Sequence, residues 1–234
     1  MFKGTGAEVL VQCLSLHGVK RISSVAGESY LAVLDALLEF PEIEMITCRQ
    51  EGGAGFMAES WGKLTGQPGI CFVTRGPGAC NASIAVHTAM QDSTPLILFM
   101  GQVRREEMGR EAFQEIDVKE VFGGLAKWAT EIDDPARIPE IMYRAFKTST
   151  SGRPGPVVIG LPEDMLRETT EARLTPAYIP VMPSVSDAQI SALKDMLQAA
   201  AVAVARANGE VGVLSNQDIE NYRKMLPTFS DNPQ

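Results

Sequence analysis

Short apolar runs of about five residues alternate along most of this chain with longer amphipathic stretches. The runs read as strands at Arg21 to Val25, Glu44 to Cys48, Ile70 to Thr74, Leu96 to Met100, Lys127 to Ile132 and Val157 to Leu161. Leu96 to Met100 (LILFM) is the most apolar and is expected at the centre of a sheet. Thr5 and Glu8 form a T-x-x-E capping box for a helix with Ala7, Leu10, Val11 and Leu14 on one face, and Gly18 is placed to end it. Further helices are expected over Tyr30 to Phe40, over Gln50 to Thr65 with Gly66 closing it, from Pro77 to Met90, and near Ile138 to Thr148.

Six strands separated by helices imply right-handed crossovers. The expected fold is therefore α/β and doubly wound, a six-stranded parallel sheet with helices on both faces, followed by a linker and a partly helical tail. Residues 166–185 lose the alternation, carry Pro176, Pro180 and Pro183, and read as the linker. Ser186 is placed to cap a helix from Asp187 to Ala207, and a short helix is expected near Gln217 to Leu226.

Composition narrows the function classes. With 45% hydrophobic and 21% charged residues in 234, the chain is globular, which excludes fibre, coiled coil and disorder. A net charge of −8 argues against a nucleic-acid surface, which needs clustered cations. No apolar run approaches the roughly 18 residues of a membrane helix. The opening MFKGTGAEVL lacks a charged-then-apolar export signal. Cys13, Cys48, Cys71 and Cys80 form no C-x-x-C pair and lie in apolar segments, so four buried, reduced thiols in a cytoplasmic protein are expected. His17 reads as a positive partner for a helix C-terminus, and His87 has no companion at ligand spacing, so no metal ligands are assigned.

In a parallel sheet of this kind ligands bind beyond the carboxyl ends of the strands, which selects three loops. Glu51 opens a helix in Arg49-Gln50-Glu51-Gly52-Gly53-Ala54-Gly55. A carboxylate suits a helix N-terminus, but four small residues there disfavour helix and let a flat ligand approach the backbone. Thr74-Arg75-Gly76-Pro77-Gly78-Ala79-Cys80-Asn81 passes from strand to helix, with Gly76 and Gly78 exposing backbone N–H groups. A dinucleotide fingerprint needs a third glycine where Asn81 stands, so tight helix–strand packing explains these glycines equally well. Ala26-Gly27-Glu28-Ser29 reads by itself as a turn with Ser29 as N-cap.

Taken in order, these segments resemble the N-terminal, pyrimidine-binding domain of thiamine-diphosphate-dependent enzymes, above all the large subunit of acetolactate synthase. The resemblance runs through Thr5-Gly6-Ala7-Glu8, Ala26-Gly27, Arg49-Gln50-Glu51, Thr74 to Asn81, Gln91-Asp92-Ser93-Thr94-Pro95, Gly101-Gln102-Val103, Ala112-Phe113-Gln114-Glu115 and Ser151 to Pro156. It implies a pyrimidine-binding domain over residues 1–165 and, over 186–234, an incomplete or divergent start of a middle domain. It assigns Glu51 the catalytic role, a carboxyl group hydrogen-bonded to N1′ of the aminopyrimidine, which favours the imino tautomer whose 4′-nitrogen takes the thiazolium C2 proton. To share that proton Glu51 would be desolvated, with a raised pKa. Gly27, Thr74, Gly76, Pro77, Gly78 and Asn81 would complete the cofactor wall, with Gln114 and Glu28 on the substrate side.

Two departures qualify the resemblance. Glu28 stands where acetolactate synthases have glycine, which bears on substrate choice and offers an acid/base group. Nor does the chain contain a Gly-Asp dipeptide, with which the family's diphosphate-binding domain begins. The expected function is thus the pyrimidine-binding portion of an enzyme acting on 2-keto acids by decarboxylation and carboligation, inactive alone. Thiamine diphosphate would be its cofactor, with Mg2+ held by a domain absent from this chain, and the flavin (FAD) of acetolactate synthases left undecided. Its partners would be the diphosphate-binding domain of another chain, or the missing part of the same one, and a second copy in a homodimer or larger assembly. Neither nucleic acid nor membrane is expected. Two alternatives remain: one subunit of a split thiamine-diphosphate decarboxylase, or a non-catalytic α/β module binding a nucleotide through Thr74 to Asn81.

Overall fold

A computed structural model describes residues 1–181 and 184–207, together with 217 and 221. The helix expected near Gln217 to Leu226 falls on residues that, apart from those two, lie outside the described ones. Two compact units are present, Met1–Val181 and Met182–Gln234.

In the first unit, the six expected strands all form: β2 (Arg21–Ser24), β3 (Glu44–Thr47), β4 (Gly69–Val73), β5 (Leu96–Gln102), β6 (Trp128–Glu131) and β7 (Pro156–Pro162). They make one parallel sheet in the order β3-β2-β4-β5-β7-β6. The winding reverses between β2 and β4, with Ser23 opposite Cys71 and Ser24 opposite Phe72.

Alternate residues of each central strand serve opposite faces. Ile70, Phe72, Ile97, Phe99, Val157 and Ile159 pack under α1 (Gly6–Leu16), α2 (Leu31–Ala36), α6 (Ile138–Thr150) and α7 (Glu163–Arg167). Cys71, Val73, Leu96, Leu98, Met100 and Val158 pack under α3 (Glu51–Thr65), α4 (Gly76–Gln91) and α5 (Val118–Phe122). The sheet is therefore buried on both faces, as its apolar runs require. Phe99 and Phe72 stack with centroids 4.6 Å apart at its centre.

The predicted capping box is formed: Thr5 Oγ1 accepts from the Glu8 N–H and Glu8 Oε2 from the Thr5 N–H. Gly66 ends α3 in the left-handed region at φ 70°, where glycine carries no Cβ penalty. His17 departs from expectation. Its Nδ1 bonds the Cys13 carbonyl, its ring stacks on Phe146 at 4.1 Å, and burial pulls its pKa below the usual value, which disfavours a positive partner for the helix dipole. The thiols also divide: Cys13 and Cys71 are buried, with burial pushing both up to about 12, whereas Cys48 is half-buried and Cys80 exposed.

The pattern gave no hint of β1 (Phe2–Thr5) and β8 (Thr169–Ala172), which pair antiparallel, Phe2 opposite Ala172. They bring the first part of the expected linker, residues 166–185, back onto the first unit. Arg105 holds the preceding helix: its Nε and backbone N–H donate to Asp164 at 2.7 and 2.9 Å, and its other nitrogens to Glu168 and to the Asp133 carbonyl. In the second unit α8 (Asp187–Ala207) forms as predicted, Ser186 Oγ accepting from the Gln189 N–H.

Phe99→Ala removes a fully buried ring from the sheet centre and is expected to lower unfolding free energy by about 3–5 kcal/mol in a urea titration. The Arg105 contact carries a pH signature. Burial of Asp164 opposes ionisation, but the hydrogen bonds and charge of Arg105 outweigh it and hold its pKa below the usual value of 3.8. A depressed acid pKa stabilises the fold above its ordinary value and is lost as pH falls. Arg105→Met should therefore lower Tm by a few degrees at pH 7, and the gap to the parent should close below about pH 4.

Candidate functional site

Strand order decides where a site can lie. The reversal between β2 and β4 opens a crevice at their carboxyl ends, flanked by the loops that follow them. The loop after β3 delivers Glu51 as the first residue of α3. Gln50 caps that helix through Oε1, accepting from the Gly53 N–H at 2.8 Å, and the helix N-terminus favours the carboxylate.

Glu51 is half-buried, and its Oε2 accepts a hydrogen bond from Asn81 Nδ2 at 2.9 Å. Among the described residues its Oε1 accepts none. A Cβ on Gly78 would stand 3.5 Å from that Oε1 and 3.0 Å from Thr74 Cγ2, so a larger residue there would encroach on the carboxylate. A Cβ on Gly27 would collide with Thr74, 2.6 Å from its Cβ and 2.8 Å from its Oγ1. Gly27, Thr74, Gly78, Glu51 and Asn81 are thus contiguous.

The remaining candidates lie around this group. Gly76 donates its N–H to the Gln114 carbonyl at 2.9 Å, joining α4 to the loop after β5, and Gln114 itself has φ 64°, strained for a non-glycine residue. Pro77 is exposed in the first turn of α4. Glu28 is exposed, but its Oε1 lies 2.9 Å from a terminal nitrogen of Arg75. Ser29 does not act as an N-cap. It is buried and pairs with Thr74 Oγ1 at 3.0 Å, which locks the loops after β2 and β4 together. The small-residue run after Glu51 serves packing: Gly52, Ala54 and Gly55 are buried, and a Cβ on Gly55 would stand 2.6 Å from that of Ala85 on α4.

Sequence reasoning missed Arg75. Its side chain is nine-tenths buried; one terminal nitrogen meets Glu28 and the other Glu163 at 3.1 Å, while its Nε is buried with no partner among the described residues. Glu163 follows β7 and also pairs with Arg167 at 2.8 Å. One guanidinium therefore ties together the loops after β2, β4 and β7. The signal in the sequence is a long cation placed within a loop of small residues. Among the described residues no group of three or more His, Cys, Asp or Glu is placed to hold a metal ion, and no helix is long and apolar enough to cross a membrane.

Comparison with known proteins identifies the family of the chain. A family model described as "Thiamine pyrophosphate enzyme, N-terminal TPP binding domain" matches residues 4–121, which carry Gly27, Glu28, Glu51, Thr74 to Asn81 and Gln114. The chain belongs to this family of thiamine pyrophosphate enzymes. Its TPP-binding domain is similar to several acetolactate synthases. The mitochondrial catalytic subunit from Aspergillus candidus is 37% identical over 183 residues, 78% of this chain and 26% of that protein. The isozyme 1 large subunit from Escherichia coli is 36% identical over 198 residues, 84% of this chain and 35% of the relative. The acetolactate synthase of Bacillus subtilis is 33% identical over 228 residues, 97% of this chain and 39% of its own length. The chain thus spans about a quarter to two-fifths of the curated relatives it matches.

Burial makes the members of the Arg75 network unequal. Glu163→Ala leaves a buried cation with only the exposed Glu28 beside it, whereas Arg75→Met leaves carboxylates that reach water or Arg167. The first should cost about 3 kcal/mol and the second less, as measured by urea unfolding at neutral pH.

Proposed function

We propose that this TPP-binding domain holds the aminopyrimidine of thiamine diphosphate through Glu51. What supports the reading most directly is the pairing of Glu51 with Asn81. Asn81 takes one carboxylate oxygen, and Gly78 keeps space open beside the other, a cradle that a side chain at 78 would fill. Glu51 would hold a proton at the ring nitrogen, Asn81 would fix the carboxylate plane, and Thr74 and Gly27 would shape the adjoining wall. When bound, thiamine diphosphate supplies an electron sink for carbanions next to a carbonyl.

The nucleotide alternative finds less support. An anion needs free N–H groups at the start of α4. There Gly76 gives its N–H to Gln114, Pro77 has none, and Ala79 gives its own to the Arg75 carbonyl at 3.0 Å, which leaves Gly78 alone among these four without a backbone acceptor among the described residues. Glu51 lies beside the same turn and would repel a phosphate.

The activity proposed for the whole protein is the decarboxylation and carboligation of 2-keto acids, as a transferase or lyase of acetolactate synthase type in the cytoplasm. The diphosphate and Mg2+ would be held by a further domain, from the same polypeptide or a partner, across a dimer interface. In keeping with this, the chain has no Gly-Asp dipeptide.

Two measurements test the proposal. Thiamine diphosphate with Mg2+ should raise the Tm of the chain alone by no more than a degree, since stabilisation follows affinity; a large rise would show that the anchor is present after all. Joined to the part of the Bacillus subtilis relative beyond the matched region, the full chain should turn over pyruvate only with thiamine diphosphate. In that fusion Glu51→Gln should reduce kcat by about 10²–10⁴. Undiminished turnover in the variant would remove Glu51 from this role.

A further inference from the structure

We propose that a cavity at the amino-terminal edge of the sheet, opposite the edge that carries Glu51, is a second small-molecule site, for an aromatic ring bearing a carboxylate. The inference goes beyond the thiamine diphosphate reading and does not depend on it.

The place of the cavity follows from the sheet. Its strands are parallel, so the segments that enter them gather at the edge away from Glu51. The segment ending at Lys20 enters β2, and the segment ending at Pro68 enters the neighbouring β4. Where these two segments meet Phe146 of α6 and Tyr178, they enclose about 110 Å³. One water takes about 10–15 Å³ of such space, so a ring with one substituent has room.

Two features of the lining select the ligand. The first is flat apolar surface: Trp61, Phe146 and Tyr178 all line the cavity. Phe146 is stacked on His17 at 4.1 Å, and Tyr178 is held edge-on by Tyr143 at 5.6 Å, so these two walls are fixed before a ligand arrives. The second is charge. Lys20 and Arg21 line the cavity and no Asp or Glu does so among the described residues, in a chain with 29 acidic and 21 basic residues. Glu44 takes only the Nε of Arg21, at 2.7 Å, and the guanidinium carbon lies 5.8 Å from the Trp61 ring centroid. Lys20 enters no ion pair among the described residues. Aromatic walls with a few polar groups on one side are what a small-molecule site requires. Here those groups are cations, so the ring should carry an anion that accepts from them.

The test uses the full chain with Trp128→Phe, in which Trp61 is the one remaining tryptophan. Benzoate should change its fluorescence saturably, with a Kd below about 1 mM. Benzamide, the same ring without the charge, should bind about tenfold more weakly. Lys20→Glu, a change at an exposed position, should weaken benzoate by about tenfold and leave benzamide unaltered. Tyr178→Ala should weaken both by removing a wall. Excess thiamine diphosphate should displace neither, because Glu51 is at the other edge. The proposal is overturned if no saturable change occurs up to about 20 mM benzoate, more than ten times the expected Kd. It is equally overturned if benzamide binds as well as benzoate, if Lys20→Glu keeps the parent Kd, or if thiamine diphosphate competes. Should Trp128→Phe fail to fold, equilibrium dialysis of radiolabelled benzoate against the parent chain measures the same constants.

Discussion

Strands β2 and β4 lie side by side although β3 separates them in the chain, and this reversal of winding brings the loops that carry Gly27, Glu51 and Thr74 to one place. Parallel strands point their carboxyl ends the same way, so every loop that follows a strand opens on one edge of the sheet. At the reversal the loops after β2 and β4 come side by side, joined by Ser29 and Thr74, with Glu51 brought in by the loop after β3. The apolar strands pay for this geometry by being buried on both faces, which keeps their hydrogen-bonded order rigid. The side chains on the edge inherit that rigidity: Ser29 meets Thr74, and Glu28 meets Arg75, because Ser24 and Phe72 are opposite each other in the sheet.

Glu51 and Glu28 illustrate how position divides similar groups between tasks. Glu51 begins a fifteen-residue helix, is half-buried, and has one oxygen fixed by a neutral amide. Glu28 lies in a three-residue 3-10 turn, is exposed, and is paired with a cation. An amide donor orients a carboxylate and leaves its charge uncompensated, which is compatible with the proton-sharing role proposed for Glu51. A guanidinium compensates the charge and fixes its direction.

Much of this was legible in the sequence. The central strands β4, β5 and β7 were, because each is a dense apolar run, while the more polar β2, β3 and β6 were legible from their place between helical stretches. Glu51 stood out through the small residues that follow it, although Gly52 and Gly55 turn out to seat α3 on α4. The pairing of β1 with β8 was not legible, since FKGT and TTEA are short, mostly polar, and meet only because the ends of the unit return to each other. Arg75 was hidden for a related reason. An ion pair has no periodicity, and Glu28 and Glu163 lie on loops far away in the chain.

The energetics of Arg75 bear on why such a network exists. Burying a guanidinium costs several kcal/mol of solvation, and its ion pairs rarely repay more than that. Here the return is smaller still, because Nε is left without a partner among the described residues and Glu28 is largely in water, where its attraction is screened. An apolar side chain filling the same space would hold the loops at least as tightly. What it could not do is pair with carboxylates on two separate loops at once. The arrangement is therefore poorly explained as a source of stability; what it does is join Glu28, Arg75 and Glu163, and with them the loops after β2, β4 and β7, through one guanidinium.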